Sequence, residues 1–255
     1  MRFAIPAGTA AAPESLACRL ELPAGGAQRV LLYCHGFASS QEGEKAEYFR
    51  ERALAAGLAF ASFDFRGHGR SGGRMFDLTL DRNLEDLGLV VDELRQRQLE
   101  EVILLGSSMG AGCGLFYAAR HPEKVRAAVH IAPALELDRG LLRLVGPAKA
   151  RRWEEEGVLL FEHELGAYDL PWSLIENLRA HSVAELSQHY RLPTLFLQGM
   201  LDTSVDWRSV ADFTAAASQA DIELHLFRDG DHRLIRELPR MWQLLESWLA
   251  STLSR

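Results

Sequence analysis

Two segments of the chain carry glycine, any residue, serine, any residue, glycine: GRSGG at 69–73 and GSSMG at 106–110. A serine hydroxyl attacks a carbonyl only when its backbone presents it and a base removes its proton. Flanking glycines relieve crowding in the sharp turn that presents it. A strand before the turn and a helix after it aim free N–H groups at the oxygen that becomes negative. EVILL before residue 106 and AGCGLFYAAR after residue 110 supply that context, so Ser108 is the candidate nucleophile. GRSGG lies in a glycine-rich loop with no apolar helix directly behind it, which makes Ser71 the weaker candidate.

The base must come from farther along the chain, in the order serine, acid, histidine. Of nine histidines, His121 sits before a proline, His130 and His225 sit inside apolar runs, and His189 is close to an irregular stretch. His232, in the polar loop RDGDHRL after the last apolar run, is the expected base. Asp202, in GMLDTSV, is the expected acid that fixes the imidazole tautomer. Asp206 is its rival and a better helix cap. An oxyanion hole needs two backbone N–H groups, expected from Met109 and Phe37. His35, Gly36, Trp153, Tyr168 and Trp172 are the further substrate-pocket candidates, although His35 equally suits ordering its loop. Asp64 and Arg66, in DFRGHGRSG, are expected to bond loop backbone.

These residues need a frame that brings loops together. RVLLYC (29–34), LAFASFDF (58–65), EVILLG (101–106), RAAVHIAP (126–133), PTLFLQG (193–199) and IELHLF (222–227) read as strands. Helical patterns at 44–56, 78–97, 110–122, 207–218 and 234–249 alternate with them. Pro239 falls inside the last pattern and delays or kinks that helix. Strands apolar on both faces, alternating with helices, imply an α/β fold: a mostly parallel sheet flanked by helices on both faces. ESLACRLEL (14–22) alternates as an antiparallel edge strand. The alternation breaks at 135–190, which reads as a helical cap insertion without strands; 1–134 and 191–255 form the core.

Composition narrows the partners. The 255 residues carry a net charge of −7 with no long basic run, which disfavours nucleic acid and anionic membrane surfaces. No apolar stretch is long enough to span a membrane. Three cysteines without a CxxC pair indicate a reducing compartment, and with no signal or transit sequence evident the cytoplasm is expected. No metal-ligand spacing and no dinucleotide fingerprint occurs, so neither metal nor cofactor is expected.

HGF (35–37), DFRGHGRSGG (64–73), GSSMGA (106–111), GMLDTSV (199–205) and GDHR (230–233) resemble the α/β-hydrolase superfamily in order and spacing. The C-terminal third, from GMLDTSV through GDHRL, is similar to the acyl-protein thioesterase and mycophenolic acid acyl-glucuronide esterase group and its bacterial relatives. CHGF departs from that group. The resemblance implies hydrolysis of carboxylic esters or thioesters, with the acyl chain in a hydrophobic slot and a small-molecule ester or thioester as partner. A peptidase, a C–C hydrolase, a cofactor-free haloperoxidase or a lipid-surface enzyme would use the same residues. A non-catalytic binding module would require one of the three to be missing.

Overall fold

The computed structural model describes residues 1–9, 12–163 and 166–253. In chain order, β1 (Arg2–Thr9) and β2 (Ala12–Glu21) precede β3 (Arg29–Cys34), α1 (Glu44–Ala55), β4 (Ala59–Phe63) and α2 (Leu80–Gln96). Then come β5 (Glu101–Ser107), α3 (Met109–Arg120) and β6 (Ala127–Ile131). An excursion of α4 (Leu137–Val145), α5 (Pro147–Glu156), β7 (Val158–His163), β8 (Gly166–Pro171), α6 (Trp172–Arg179) and α7 (Val183–His189) follows. After it lie β9 (Thr194–Gly199), α8 (Trp207–Ala216), β10 (Ile222–Phe227) and α9 (Leu238–Thr252).

Among the described residues one eight-stranded sheet runs β1-β2-β4-β3-β5-β6-β9-β10. From β4 to β10 all neighbours are parallel. The two-residue period of a strand divides its apolar run between two cores. On β3, Val30, Leu32 and Cys34 face the cluster with α2, α3 and α8. Leu31 and Tyr33 face the cluster with α1 and α9. Both faces are thus covered, as near-continuous apolar strands require. The Leu80, Leu84, Leu87, Val91 and Leu94 stripe of α2 is buried, and Thr79 Oγ1 caps that helix by accepting from the Arg82 N–H at 3.1 Å.

Three expectations shift. The alternating segment at 14–22 is an antiparallel strand, but β1 pairs along its outer side, so β2 is interior and β1 is the edge. Pro6 lacks a ladder donor, which only an edge strand tolerates easily, and it masks the inward Phe3 and Ile5 pattern in the sequence. The stretch at 135–190 is not helical throughout. α5 stops at Gly157, whose φ of 76° is left-handed, and the β7–β8 hairpin follows with Phe161 opposite Tyr168. VLLFEH is too short an apolar run for periodicity to separate strand from helix. Finally, α9 starts late: a 3-10 turn occupies Ile235–Glu237 and Pro239 sits in the helix's first turn. No helix among the described residues is long and apolar enough to cross a membrane.

Candidate active site

Ser108 stands between β5 and α3 with φ 53° and ψ −116°. A side chain in this conformation stores about 1–3 kcal/mol of strain, which persists only where neighbours fix it. They do: the Ser108 N–H donates to Ile131 O at 2.9 Å, and its carbonyl accepts from the Ala134 N–H at 3.1 Å. The flanking glycines have a steric cause. A Cβ on Gly106 would lie 2.4 Å from Ala111 Cα, and one on Gly110 would lie 2.3 Å from Cys34 O. The other motif serves its loop. Ser71 Oγ accepts from the Ala17 N–H at 2.9 Å and donates to Asp64 O.

His232 follows β10 and Asp202 follows β9. The Nδ1–H of His232 donates to Asp202 Oδ2 at 2.8 Å. The acceptor can only be the carboxylate, so the proton sits on Nδ1. Asp202 Oδ1 accepts from the N–H groups of Ser204 and Val205, each at 2.8 Å, and Gln198 Nε2 donates to Oδ2 at 3.1 Å. Burial, the largest influence, raises the Asp202 pKa; the His232 bond and the two backbone bonds together outweigh it and hold the carboxyl below its usual range. Asp206 caps α8, accepting from the Arg208 N–H at 3.0 Å.

Met109 opens α3, so its N–H has no intrahelical acceptor. Gly36 passes so close to the turn that a Cβ on it would lie 3.3 Å from Ser108 Cβ, which sets Phe37 beside the serine. His35 has a different place. It is fully buried, its Nε2 accepts from the Phe65 N–H at 3.1 Å, and its Nδ1 donates to Gly36 O at 2.8 Å. Burial lowers its pKa to about 4, so it is a neutral organiser of the loop. Asp64 accepts from the backbone of Gln41 and Arg70 at 2.7 and 2.9 Å, as expected of it. Arg66 instead binds the carboxylates of Asp86, Glu85 and Glu14. Cys34 and Cys113 are buried and pushed towards the thiol form, Cys113 to about 12. Among the described residues no cluster of His, Cys, Asp or Glu could hold a metal ion.

Two cavities reach Ser108 and His232. One, about 410 Å³, is walled by Phe37, Leu141, Leu144, Phe161 and Val205. The other, about 550 Å³, is walled by Gly36, Phe37, Lys45, Tyr168 and Arg233. Phe37 contacts Phe161 and Tyr168 at ring separations of 5.6 and 6.5 Å, which seats the β7–β8 hairpin over the serine. Trp153 and Trp172 line neither cavity. Trp153 is fully buried, its indole N–H donates to Leu170 O at 2.9 Å, and it packs edge-on against Trp172 at 5.5 Å. Aromatic character alone could not separate these two packing residues from Tyr168. Lys45, Phe161 and Val205 were not anticipated; Lys45 and Phe161 sit on a helix and a strand whose patterns report only packing, and Val205 sits in the loop after β9 that carries Asp202.

Residues 25–158 match the family described as serine aminopeptidase S33. The chain is 28% identical over 211 residues to palmitoyl-protein thioesterase ABHD10, mitochondrial, of Bos taurus, covering 80% of this chain and 67% of that protein. It is 34% identical over 114 residues to a monoacylglycerol lipase of Mycolicibacterium smegmatis, covering 44% of this chain and 40% of the lipase. A crystal structure from Agrobacterium vitis S4 superposes with a TM-score of 0.82 at 28% identity over 97% of this chain and 98% of that one. Mouse alpha/beta hydrolase domain-containing protein 10 shares the fold, with a TM-score of 0.77 at 23% identity over 98% and 99% of the two chains.

Proposed function

The chain belongs to the serine aminopeptidase S33 family of α/β-hydrolases, and on that premise we propose that it is a serine hydrolase cleaving carboxylic esters or thioesters of hydrophobic acyl groups. Ser108 is the nucleophile, His232 the general base and Asp202 the acid that orients the histidine. The observation that carries this reading is the 2.8 Å bond from His232 Nδ1 to Asp202 Oδ2, made beside cavities that Ser108 also lines. With Nδ1 so engaged, Nε2 is the basic nitrogen.

His232 takes the Ser108 proton as Oγ attacks the acyl carbonyl. The N–H groups of Phe37 and Met109 bind the oxyanion. The proton then passes to the departing alcohol or thiol, which leaves acyl-Ser108. Water, deprotonated by the same imidazole, attacks that ester; the acid departs and the serine regains its proton.

The relatives' names, palmitoyl-protein thioesterase and monoacylglycerol lipase, support acyl substrates. The apolar wall of Leu141, Leu144, Phe161 and Val205 supports the same class. The family description also raises a peptidase reading. An aminopeptidase needs a carboxylate for the substrate's ammonium; in the apolar wall Glu136 is paired with Arg139 and Asp206 caps α8, while Glu44 lines the second cavity, so aminoacyl anilides belong in the test. We take 1–134 and 191–255 as the catalytic core, 135–190 as a cap over the carboxyl ends of the strands, and the cytoplasm as the compartment. Buried free thiols at Cys18, Cys34 and Cys113 support a reducing environment; the mammalian relatives are named as mitochondrial. The test is a panel of p-nitrophenyl esters of rising chain length, acyl-CoA thioesters and aminoacyl anilides. Ester or thioester turnover that vanishes in Ser108→Ala is expected. Turnover of the anilides above the esters would overturn the substrate class.

A further inference from the structure

Lys45 stands in the first turn of α1. Its ammonium donates to Ser107 Oγ at 3.0 Å, and Ser107 is buried directly before the strained serine. The same side chain lines the 550 Å³ cavity with Ser108 and His232. Among the described residues the Ser107 hydroxyl is its one hydrogen-bond or ion-pair partner. The groups around it are Asp202 and Asp231, which attract it from beyond contact, Glu44 on its own helix, and Arg233, which repels it. His232 faces the same space, and the Tyr33 phenol, which also lines it, stands within hydrogen-bonding reach of Ser107 as a neutral second partner.

Lys45 is half-buried, and an ammonium partly withdrawn from water without a carboxylate beside it is unfavourable; a neutral donor could have made the same bond without that penalty. A charged donor makes a shorter, stronger bond than a neutral one. The place where that strength matters is Ser107, because Ser108 holds φ 53° only if both sides of the turn are fixed. The far side is held by the Ala134 N–H and the Ile131 carbonyl.

We propose that Lys45 is a positioning residue for hydrolysis: its charged hydrogen bond to Ser107 Oγ fixes the near side of the turn, and so aligns Ser108 Oγ with His232 and with the N–H groups of Phe37 and Met109. The inference rests on Ser108 being the nucleophile. It also carries a signature. Burial, the dominant influence, lowers the Lys45 pKa to about 8. Above that pH the ammonium becomes an amine, the bond to Ser107 loses its charge, and alignment loosens.

The experiment measures kcat and KM on a p-nitrophenyl ester from pH 6 to 10 for wild type, Lys45→Met and Lys45→Arg, with circular dichroism at each pH. Lys45→Met is expected to lower kcat about 10- to 100-fold with a far smaller change in KM, as a small misplacement of the nucleophile does. Wild-type kcat falls above about pH 8, and the residual kcat of Lys45→Met lacks that fall. A lysine that served packing alone would lower the melting temperature without removing the alkaline limb. A Lys45→Met enzyme with wild-type kcat, or one that keeps the alkaline limb, overturns the proposal, as does a wild type with no limb up to pH 10. If Lys45→Met does not fold, Lys45→Arg decides: its charge persists, so its limb moves to higher pH, and a limb coincident with wild type counts against the idea. Turnover surviving in Ser108→Ala would instead overturn the nucleophile.

Discussion

The Nδ1–H of His232 donates to Oδ2 of Asp202 at 2.8 Å across 30 residues of sequence. The sheet accounts for the meeting. β9 and β10 are parallel neighbours with Gly199 opposite Phe227, so the loops that follow them leave the sheet side by side. They run so close that a Cβ on Gly199 would lie 2.3 Å from Gly230 O. Asp202→Asn replaces the acceptor with an amide that can stabilise the wrong tautomer. The expected result is a fall in kcat of about 10³- to 10⁴-fold at neutral pH, measured on a p-nitrophenyl ester with the fold checked by circular dichroism. A loss below tenfold would contradict the orienting role.

The same carboxylate makes stability depend on pH. Its pKa in the folded protein is below the usual value, while in the unfolded chain it returns to about 3.9. Its contribution is therefore complete above the unfolded pKa and is lost as pH falls through the folded one. The urea midpoint of wild type should exceed that of Asp202→Asn at pH 7, and the gap should narrow towards pH 3. A gap that stays constant with pH would show that the charge adds nothing to folding.

Strain at Ser108 predicts a trade between stability and turnover. Glycine adopts φ 53° without a Cβ penalty, whereas alanine keeps it. Ser108→Gly should be more stable than Ser108→Ala by about 1 kcal/mol, and both should be inert. Labelling by a fluorophosphonate probe should disappear in both and persist in Ser71→Ala, because Ser71 Oγ is engaged by Ala17 and Asp64 backbone. Equal urea midpoints for the two Ser108 variants would remove strain from the account.

What could be read in advance follows from how each residue is specified. Ser108, Asp202 and His232 lie in polar loops directly after apolar runs, and a parallel sheet gathers such loops at one end. Local sequence therefore proposed them as candidates. Lys45 reaches Ser107 from the first turn of a helix, a contact 62 residues apart that no local pattern encodes. Trp153 and Tyr168 look alike in sequence. Only their elements tell them apart: the β7–β8 hairpin turns Tyr168 towards the cavity, and α5 turns Trp153 into the core. β1 stayed hidden because Pro6 reads as a strand breaker until an edge position excuses it.

Trp153 provides a direct test of that separation. It is fully buried, and its indole N–H is satisfied by Leu170 O at 2.9 Å. Trp153→Ala opens a cavity where a fully buried indole stood, which should cost about 3–5 kcal/mol. Trp153→Phe keeps most of the volume and should cost less. Chemical denaturation gives the order of the two variants. The folded fraction of Trp153→Phe should retain the wild-type KM for p-nitrophenyl esters, whereas a tenfold change in KM would restore the residue to the pocket.

A second pH effect lies away from the site. His130 is fully buried on β6, and neither ring nitrogen has a hydrogen-bond partner. Its ring packs so closely on α3 that a Cβ at Gly114 would come within 2.6 Å of Cε1. Burial lowers its pKa to about 3, and lowers those of His35 and His68 to about 4 and about 3. Each is depressed below the unfolded value of about 6.5. The unfolded chain therefore binds protons first as pH falls, so the stability from these neutral rings is present above about pH 6.5 and drains away below it. The urea midpoint of wild type should drop between pH 7 and pH 5. His130→Phe keeps an aromatic ring and cannot titrate, so its midpoint should drop less steeply over the same interval. Identical slopes for the two proteins would mean that His130 meets a proton acceptor or water when folded, and that its burial is not what resists the charge.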